Sequence, residues 1–253
     1  METQINLVKE QNKNRTLSPL VRKLGNLVHL TEDEIEYLEG LQVKHGSLTA
    51  EEDLIVEGDE FRSTYIVRSG WGQRYRILQD GRRQITSLLL PGDFIGLNSN
   101  FRRTANYSVA ALTDMEVGLV EPTRVIEIQQ QYPILASALS WSTVRDYVIL
   151  SEHIVGLGRR SAYERMAHLL MEIYHRLNVV SLAREDGFDW PLTQNQIADM
   201  LGLSVVHVNR TLRRLREDGL VAFDDQSVEL LNMDKLMEVA DAPDAFLEDF
   251  AIL

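Results

Sequence analysis

The spacing of apolar residues along this chain changes twice, and the changes divide it. Near the start, Ile35, Leu38 and Leu41 fall at helical intervals behind Thr31-Glu32-Asp33-Glu34, where Thr31 and Glu34 have the spacing of a capping box. From Gly46 to about Leu119 the texture becomes short apolar runs, such as Leu54-Ile55-Val56 and Ile85 to Leu90, separated by turn residues such as Glu57-Gly58-Asp59 and Pro91-Gly92-Asp93. Breaks about every ten residues predict a compact all-β roll or barrel, and Asp80-Gly81 between two runs predicts a hairpin.

Helical spacing returns at Tyr132-Pro133, with proline at a first helical position, and continues to Gly156 or Gly158. At 1.5 Å per residue that helix is about 36 Å long. It is apolar on two sides: Ile134, Trp141, Val144, Val148 and Val155 on one, Leu139, Tyr147, Leu150, Ile154 and Leu157 on the other. Two apolar sides need two partners. The pattern therefore predicts the β-roll on one side and, on the other, a second copy of the helix across a two-fold axis through Leu150, Ile154 and Leu157. A further helix, roughly Ala162 to Leu177, leads through a loop at 181–189 into the last patterned region.

Residues 193–216 hold the densest signals. Thr193 is a good N-cap, Ile197, Met200 and Leu201 share an apolar face, and Gly202 supplies the left-handed position that ends the helix. Ser204 then caps a second helix, whose Val208, Leu212 and Leu215 must face the core. Its other face is Val205, Val206, Asn209, Arg210 and Arg213, in a segment with four arginines and no acid. This is a helix-turn-helix with a basic second helix, the geometry that enters the DNA major groove. Thr193, Ser204 and His207 suit phosphate contacts, with Gln194 on the same surface, and Asn209 and Arg213 suit bases or backbone.

Net charge complicates and then supports this reading. The 253-residue chain is 44% apolar and 25% charged, as a globular protein is, but its formal charge is −12. Residues 221–253 carry nine acids against one lysine, so the deficit is concentrated after the basic helix, where a local positive field survives. No cysteine is present, which excludes disulfides and cysteine-held iron–sulfur clusters. No apolar run is long enough to span a bilayer and the first fifteen residues have no signal core, so a cytoplasmic location without membrane partners is expected. The six histidines make no HxxxH or HExxH pattern, and no catalytic constellation or phosphate loop appears; neither an enzyme nor a metal site is expected.

Three features together, the β-roll, the long helix and the C-terminal helix-turn-helix, resemble the Crp/Fnr family of bacterial transcription regulators, over about residues 25–232. The most specific segments are Gly92-Asp93-Phe94-Ile95-Gly96, the stretch 157–170 and the pattern from Thr193 through Ile197, Gly202, Ser204, Val208 and Arg210 to Leu215. The resemblance implies an α+β fold: a mobile segment at 1–25, a cyclic-nucleotide-binding-like β-roll at 26–132, a dimerisation helix at 133–158, a winged helix-turn-helix at 159–232 and an acidic tail at 233–253. It also implies a homodimer on a roughly palindromic double-stranded DNA site, regulating transcription through contact with RNA polymerase, with Arg210 at the base-reading arginine.

The resemblance places an effector pocket at Leu97, Tyr107 and Ser108, near Arg102 and Arg103, with Leu150 and Ser151 on the long helix. Cyclic-AMP-binding members carry a glutamate, an arginine and a serine at the first three of these positions. Leucine cannot accept the ribose hydroxyl, and without the arginine the cyclic phosphate lacks its charge-assisted partner. Cyclic AMP is thus not expected as effector, and no cofactor is; the β-roll is expected either to sense another ligand or to serve as a scaffold. Two valines, Val205 and Val206, stand where members reading the usual half-site have a glutamate at the second; they touch thymine methyls and cannot bond cytosine. The competing function is a ligand-gated module that signals from the β-roll to a protein partner; Arg210 separates the two, since that module has no use for a groove-reading guanidinium.

Overall fold

A computed structural model describes residues 17–42, 44–60, 63–97 and 104–241. It opens with a short helix, α1 (Pro19–Gly25), capped by Ser18 and begun by proline, followed by α2 (Glu32–Gly40), where Thr31 and Glu34 form the expected capping box. The boundary drawn at residue 25 is corrected here. Leu20, Val21 and Leu24 share one face of α1 and are buried, so 19–25 belong to the core; residues 1–16 lie outside the described residues.

Eight strands build the roll: β1 (His45–Leu48), β2 (Asp53–Ile55), β3 (Thr64–Ser69), β4 (Gly72–Ile77), β5 (Arg83–Leu89), β6 (Phe94–Ile95), β7 (Ser108–Ala111) and β8 (Met115–Val120). They form two antiparallel sheets, ordered β1-β8-β3-β6 and β2-β7-β4-β5. The β4–β5 hairpin turns at Gly81, whose φ of +85° accounts for the Asp-Gly signal. Val67, Leu89, Ile95, Val109, Met115 and Val117 fill the space between the sheets.

After α3 (Pro122–Gln131) the chain enters α4 (Pro133–Arg159), the long helix. Its two sides divide differently from the sequence reading. The buried stripe is Leu135, Ala138, Leu139, Ser142, Ile149 and Gly156; Val144, Tyr147, Leu150, Ile154, Val155 and Leu157 all stay exposed. Leu139 thus turns inward, and Val144 and Val155 join the open face instead of the buried one. At about 100° per residue, Leu135, Ala138, Ser142, Ile149 and Gly156 share one stripe that lies between the two sides read from the sequence, so the covered face is that stripe. No helix among the described residues is long and apolar enough to cross a membrane.

Arg160, extended at ψ 144°, breaks α4 from α5 (Ala162–Val179), which Ser161 and Glu164 cap as a second capping box. Then come β9 (Gly187–Asp189), α6 (Gln194–Leu201), α7 (Val205–Glu217), the hairpin β10 (Val221–Asp224) and β11 (Ser227–Leu230), and α8 (Met233–Ala240). The strands pair as β10-β11-β9, the expected wing. The tail boundary at 233 is also corrected. Leu236 and Ala240 are fully buried, α8 packs on α5 and the His168 ring bonds the Ala240 carbonyl at 3.1 Å, so the acidic composition had masked an apolar stripe; residues 242–253 lie outside the described residues.

One apolar core spans the outer face of the β4–β5 sheet and the whole C-terminal region, joining Trp71, Tyr75, Ile85, Leu88 and Leu90 to Leu169, Ile173, Leu177, Ile197 and Leu201. Through the same interface runs a buried chain of charges. Lys23 of α1 meets Asp93 at 2.7 Å, Asp93 meets Arg176 of α5 at 2.5 Å, Arg176 meets Glu172 at 2.8 Å, and Glu172 meets His153 of α4 at 2.6 Å. Gly92, at φ +90°, makes room for this, because a Cβ there would lie 2.9 Å from the Pro19 carbonyl and push α1 off the turn.

Burial alone would raise the Asp93 pKa, but Lys23 and Arg176 outweigh it and hold the carboxyl far below the usual range. Burial likewise opposes the Glu172 charge, yet His153 and Arg176 draw its pKa down to about 2. Burial would lower the His153 pKa; Glu172 overrides it and raises the pKa above 6.5, against the nearby Arg176 and with help from the Thr86 backbone. The sign follows. The histidine's contribution is complete below 6.5 and lost as pH rises through its raised pKa; the glutamate's is complete above 4.5 and lost toward about 2. We expect His153→Gln to cost about 1–3 kcal/mol at pH 6, several degrees in Tm, with the gap to the parent closing as pH rises. A gap that thermal melts find equal at pH 6 and pH 9 would contradict the pairing.

Candidate DNA-binding interface

The two helices of the C-terminal motif are set by local chemistry. At the start of α6 the Thr193 hydroxyl accepts from the Gln196 amide at 3.3 Å, and the Gln196 side chain accepts from the Thr193 amide at 2.8 Å. Gly202 ends the helix in the left-handed conformation, at φ +63°. A Cβ there would also come within 3.1 Å of Leu157, so the turn is seated against the end of α4. Arg165 of α5 donates to the Leu201 carbonyl at 2.6 Å and holds the turn from the other side.

Ser204 caps α7 by accepting from the His207 amide at 3.3 Å. Val208, Leu212 and Leu215 are buried, and Thr211 is buried beside them with its hydroxyl donating to the His207 carbonyl. Val206, 78% exposed, stands with Asn209 and Arg210 on the open face. Val205 does not stand with them. It is half-buried against the core, so of the two valines only Val206 is on the open face.

The four arginines of α7 divide by role. Arg214 stacks on the Tyr163 ring at 4.5 Å and approaches Asp218 at 3.7 Å; Arg216 stacks on Phe223 at 5.8 Å and donates to the Leu212 carbonyl. Both brace α7 against α5 and the wing. Arg213 pairs with Glu217 at 2.7 Å, an exposed pair worth well under 1 kcal/mol and readily exchanged for a phosphate. Arg210 is exposed and, among the described residues, makes no ion pair. Asn209 donates to Gln194 at 2.6 Å, linking the N-terminal halves of the two helices on the same surface as Thr193 and Ser204.

Amide groups at the starts of α6 and α7 add partial positive charge where Thr193, Gln194, Ser204 and His207 lie. The wing turn, by contrast, carries exposed Asp224 and Asp225. It repels phosphate. The favourable surface is therefore the compact patch of Val206, Asn209 and Arg210 with the two helix starts.

Five of the residues expected to line an effector pocket, Leu97, Tyr107, Ser108, Leu150 and Ser151, are among the described residues. Leu97 packs on the cluster around α1 and α4, the Ser108 hydroxyl accepts from the Glu57 amide at 2.9 Å, Leu150 is exposed on the open face of α4 with half-buried Ser151 beside it, and Arg102 and Arg103 lie outside the described residues. Tyr107 is in the roll with Arg74 of β4 stacked on its ring at 4.8 Å. Arg74 escaped the sequence reading, since only its alternation with Tyr75 marks it as facing between the sheets.

Comparison with known proteins matches residues 46–132 to the cyclic nucleotide-binding domain and residues 164–239 to the Crp-like helix-turn-helix domain. The chain is 33% identical over 196 residues to the transcriptional activator protein FnrL of Cereibacter sphaeroides, covering 76% of this chain and 77% of that one. It is 32% identical over 191 residues to the nitrogen fixation regulation protein FixK of Bradyrhizobium diazoefficiens, covering 76% and 79%. Among solved structures, FixK2 from Bradyrhizobium japonicum superposes with a TM-score of 0.70 at 28% identity, covering 79% of this chain and 98% of that one.

Proposed function

This chain belongs to the Crp/Fnr family and is a DNA-binding transcriptional regulator, and we propose that it binds as a two-fold dimer through α4 and reads a palindromic site with Arg210. The observation that carries the reading is the pairing of two open surfaces on one chain. The exposed Val144, Tyr147, Leu150 and Ile154 form an apolar stripe with no partner among the described residues, and the Val206, Asn209 and Arg210 patch lies on the helix-turn-helix that α4 abuts at Leu157. Two copies joined along α4 present two recognition helices to successive turns of the groove.

Arg210 grips a guanine edge, Val206 meets a thymine methyl, and Thr193, Gln194, Ser204 and His207 hold phosphates. The names of relatives such as FnrL support activation, and in this proposal the protein partner is RNA polymerase. Cyclic AMP does not control binding. Leu97 faces the α1 cluster, the Ser108 hydroxyl is already engaged and Tyr107 carries Arg74 on its face, so the positions equivalent to a cyclic-nucleotide cradle are occupied by contacts within the chain.

Arg210→Ala is expected to weaken binding to a site selected from random DNA by about 1–3 kcal/mol and to relax preference at one base pair of each half-site. Unchanged affinity and preference at physiological salt would remove Arg210 from the interface. Ile154→Glu should leave the chain folded, because the side chain is 63% exposed, yet monomeric in sedimentation, with DNA affinity reduced about 10²–10⁴-fold as two-site binding is lost. A variant that sediments like the parent would refute the α4 interface. In calorimetric titration, cyclic AMP should give no binding tighter than about 10 μM, and stoichiometric heat below that concentration would restore it as effector.

A further inference from the structure

The chain passes from the long helix α4 into the helix-turn-helix region through Arg160, whose extended backbone makes a pivot unless something around it is held. Arg160 itself meets Glu152 and Asp241 and the Gly202 turn meets Leu157, and a second hold lies at the other end of α5. Arg176 is sixteen positions from the pivot, about 24 Å along the helix, and its side chain is 4% exposed. One guanidinium meets Asp93 and the Leu88 carbonyl of the roll at 2.5 and 2.9 Å, and through Glu172 it is tied to His153 of α4. The planar fork of arginine reaches all three oxygens at once; a lysine ammonium has no such fixed geometry.

The same end of α5 is clasped from outside. Its final carbonyls, those of Val179 and Val180, have no helical partner and accept instead from Asn26 at 2.8 Å and Arg22 at 2.9 Å, both from α1, next to Lys23 on Asp93. On the opposite flank Gln84 of β5 donates to the Met200 carbonyl at 3.1 Å. With these contacts closed, the α4 stripe and the Arg210 patch are both open to their partners.

We propose that Arg176, which touches no DNA, is the positioning residue that fixes the separation of the two recognition helices in the dimer, and so sets which half-site spacing the regulator accepts. The proposal rests on the dimer reading above. A change of a few degrees about Arg160 moves α7 along the groove, while the contacts each α7 makes with its own half-site are unaffected. Loss of the anchor therefore relaxes spacing and leaves base preference intact.

The test uses the full-length chain and duplexes carrying two copies of the selected half-site at the selected spacing and at one and two base pairs more or fewer, with a single half-site as control. The parent is expected to prefer one spacing at least tenfold. Arg176→Met, and independently the outer-clasp variant Arg22→Ala with Asn26→Ala, should retain half-site preference, single-half-site affinity and salt slope while spacing preference falls at least threefold. Arg176→Lys should lie between. Because Arg22 and Asn26 are at least partly exposed, their variant folds if Arg176→Met does not and then decides alone. A folded variant with the parent's full spacing preference would overturn the proposal. A parent indifferent to spacing, or unable to bind two half-sites better than one, would overturn the dimer reading and the proposal with it.

Discussion

Arg176 is a permanently charged group sealed between modules, and its position constrains everything around it. Moving such an ion out of water costs several kcal/mol, which only well-placed carboxylates recover. Those carboxylates come from different places: Asp93 from the roll and Glu172 from its own helix, each shared with a cation from a third and fourth element, Lys23 and His153. The full chain of five charges closes only when α1, the roll, α4 and α5 are all in place. The apolar core follows the same boundary, running from Trp71 and Leu88 of the roll to Ile173 and Ile197 beyond the hinge. The roll and the DNA-binding region thus share one apolar core and one chain of buried charges, although their sequence textures differ.

Parts of this were legible because their cause is local. The caps at Thr31, Thr193 and Ser204, the glycine at 202 and the Asp-Gly hairpin each need only neighbours a few residues away, and an open recognition patch followed once the core stripe of α7 was placed. The charge chain was not legible, since Lys23 and Asp93 are 70 positions apart and Asp93 and Arg176 are 83. Asp93 read as part of a family motif with no hint of its partners. The two misplaced boundaries share one origin: α1 and α8 are short, of seven and eight residues, and recognisable only by which few side chains the rest of the fold covers.

Division of labour among the α7 arginines explains how a chain with a net charge of −12 presents a site for DNA. Two guanidiniums are spent on aromatic rings and hold the helix in place, a third is shared with Glu217, and only Arg210 faces outward unpaired among the described residues. With aspartates on the wing turn, phosphate attraction is confined to the two helix starts. In the proposed dimer, specificity leans on groove contacts more than on a broad basic surface.

If the ion chain and the shared core make one body of the roll and the DNA-binding region, their slowest backbone amides must open together. Native-state hydrogen exchange with increasing denaturant reads this directly. The account predicts that amides in the middle of β5 and of α5 converge on the same opening free energy and the same denaturant dependence, that of global unfolding. If α5 and α7 exchanged through a separate opening of lower free energy while β5 stayed protected, the two regions would be independent domains and the central role given to Arg176 would be wrong.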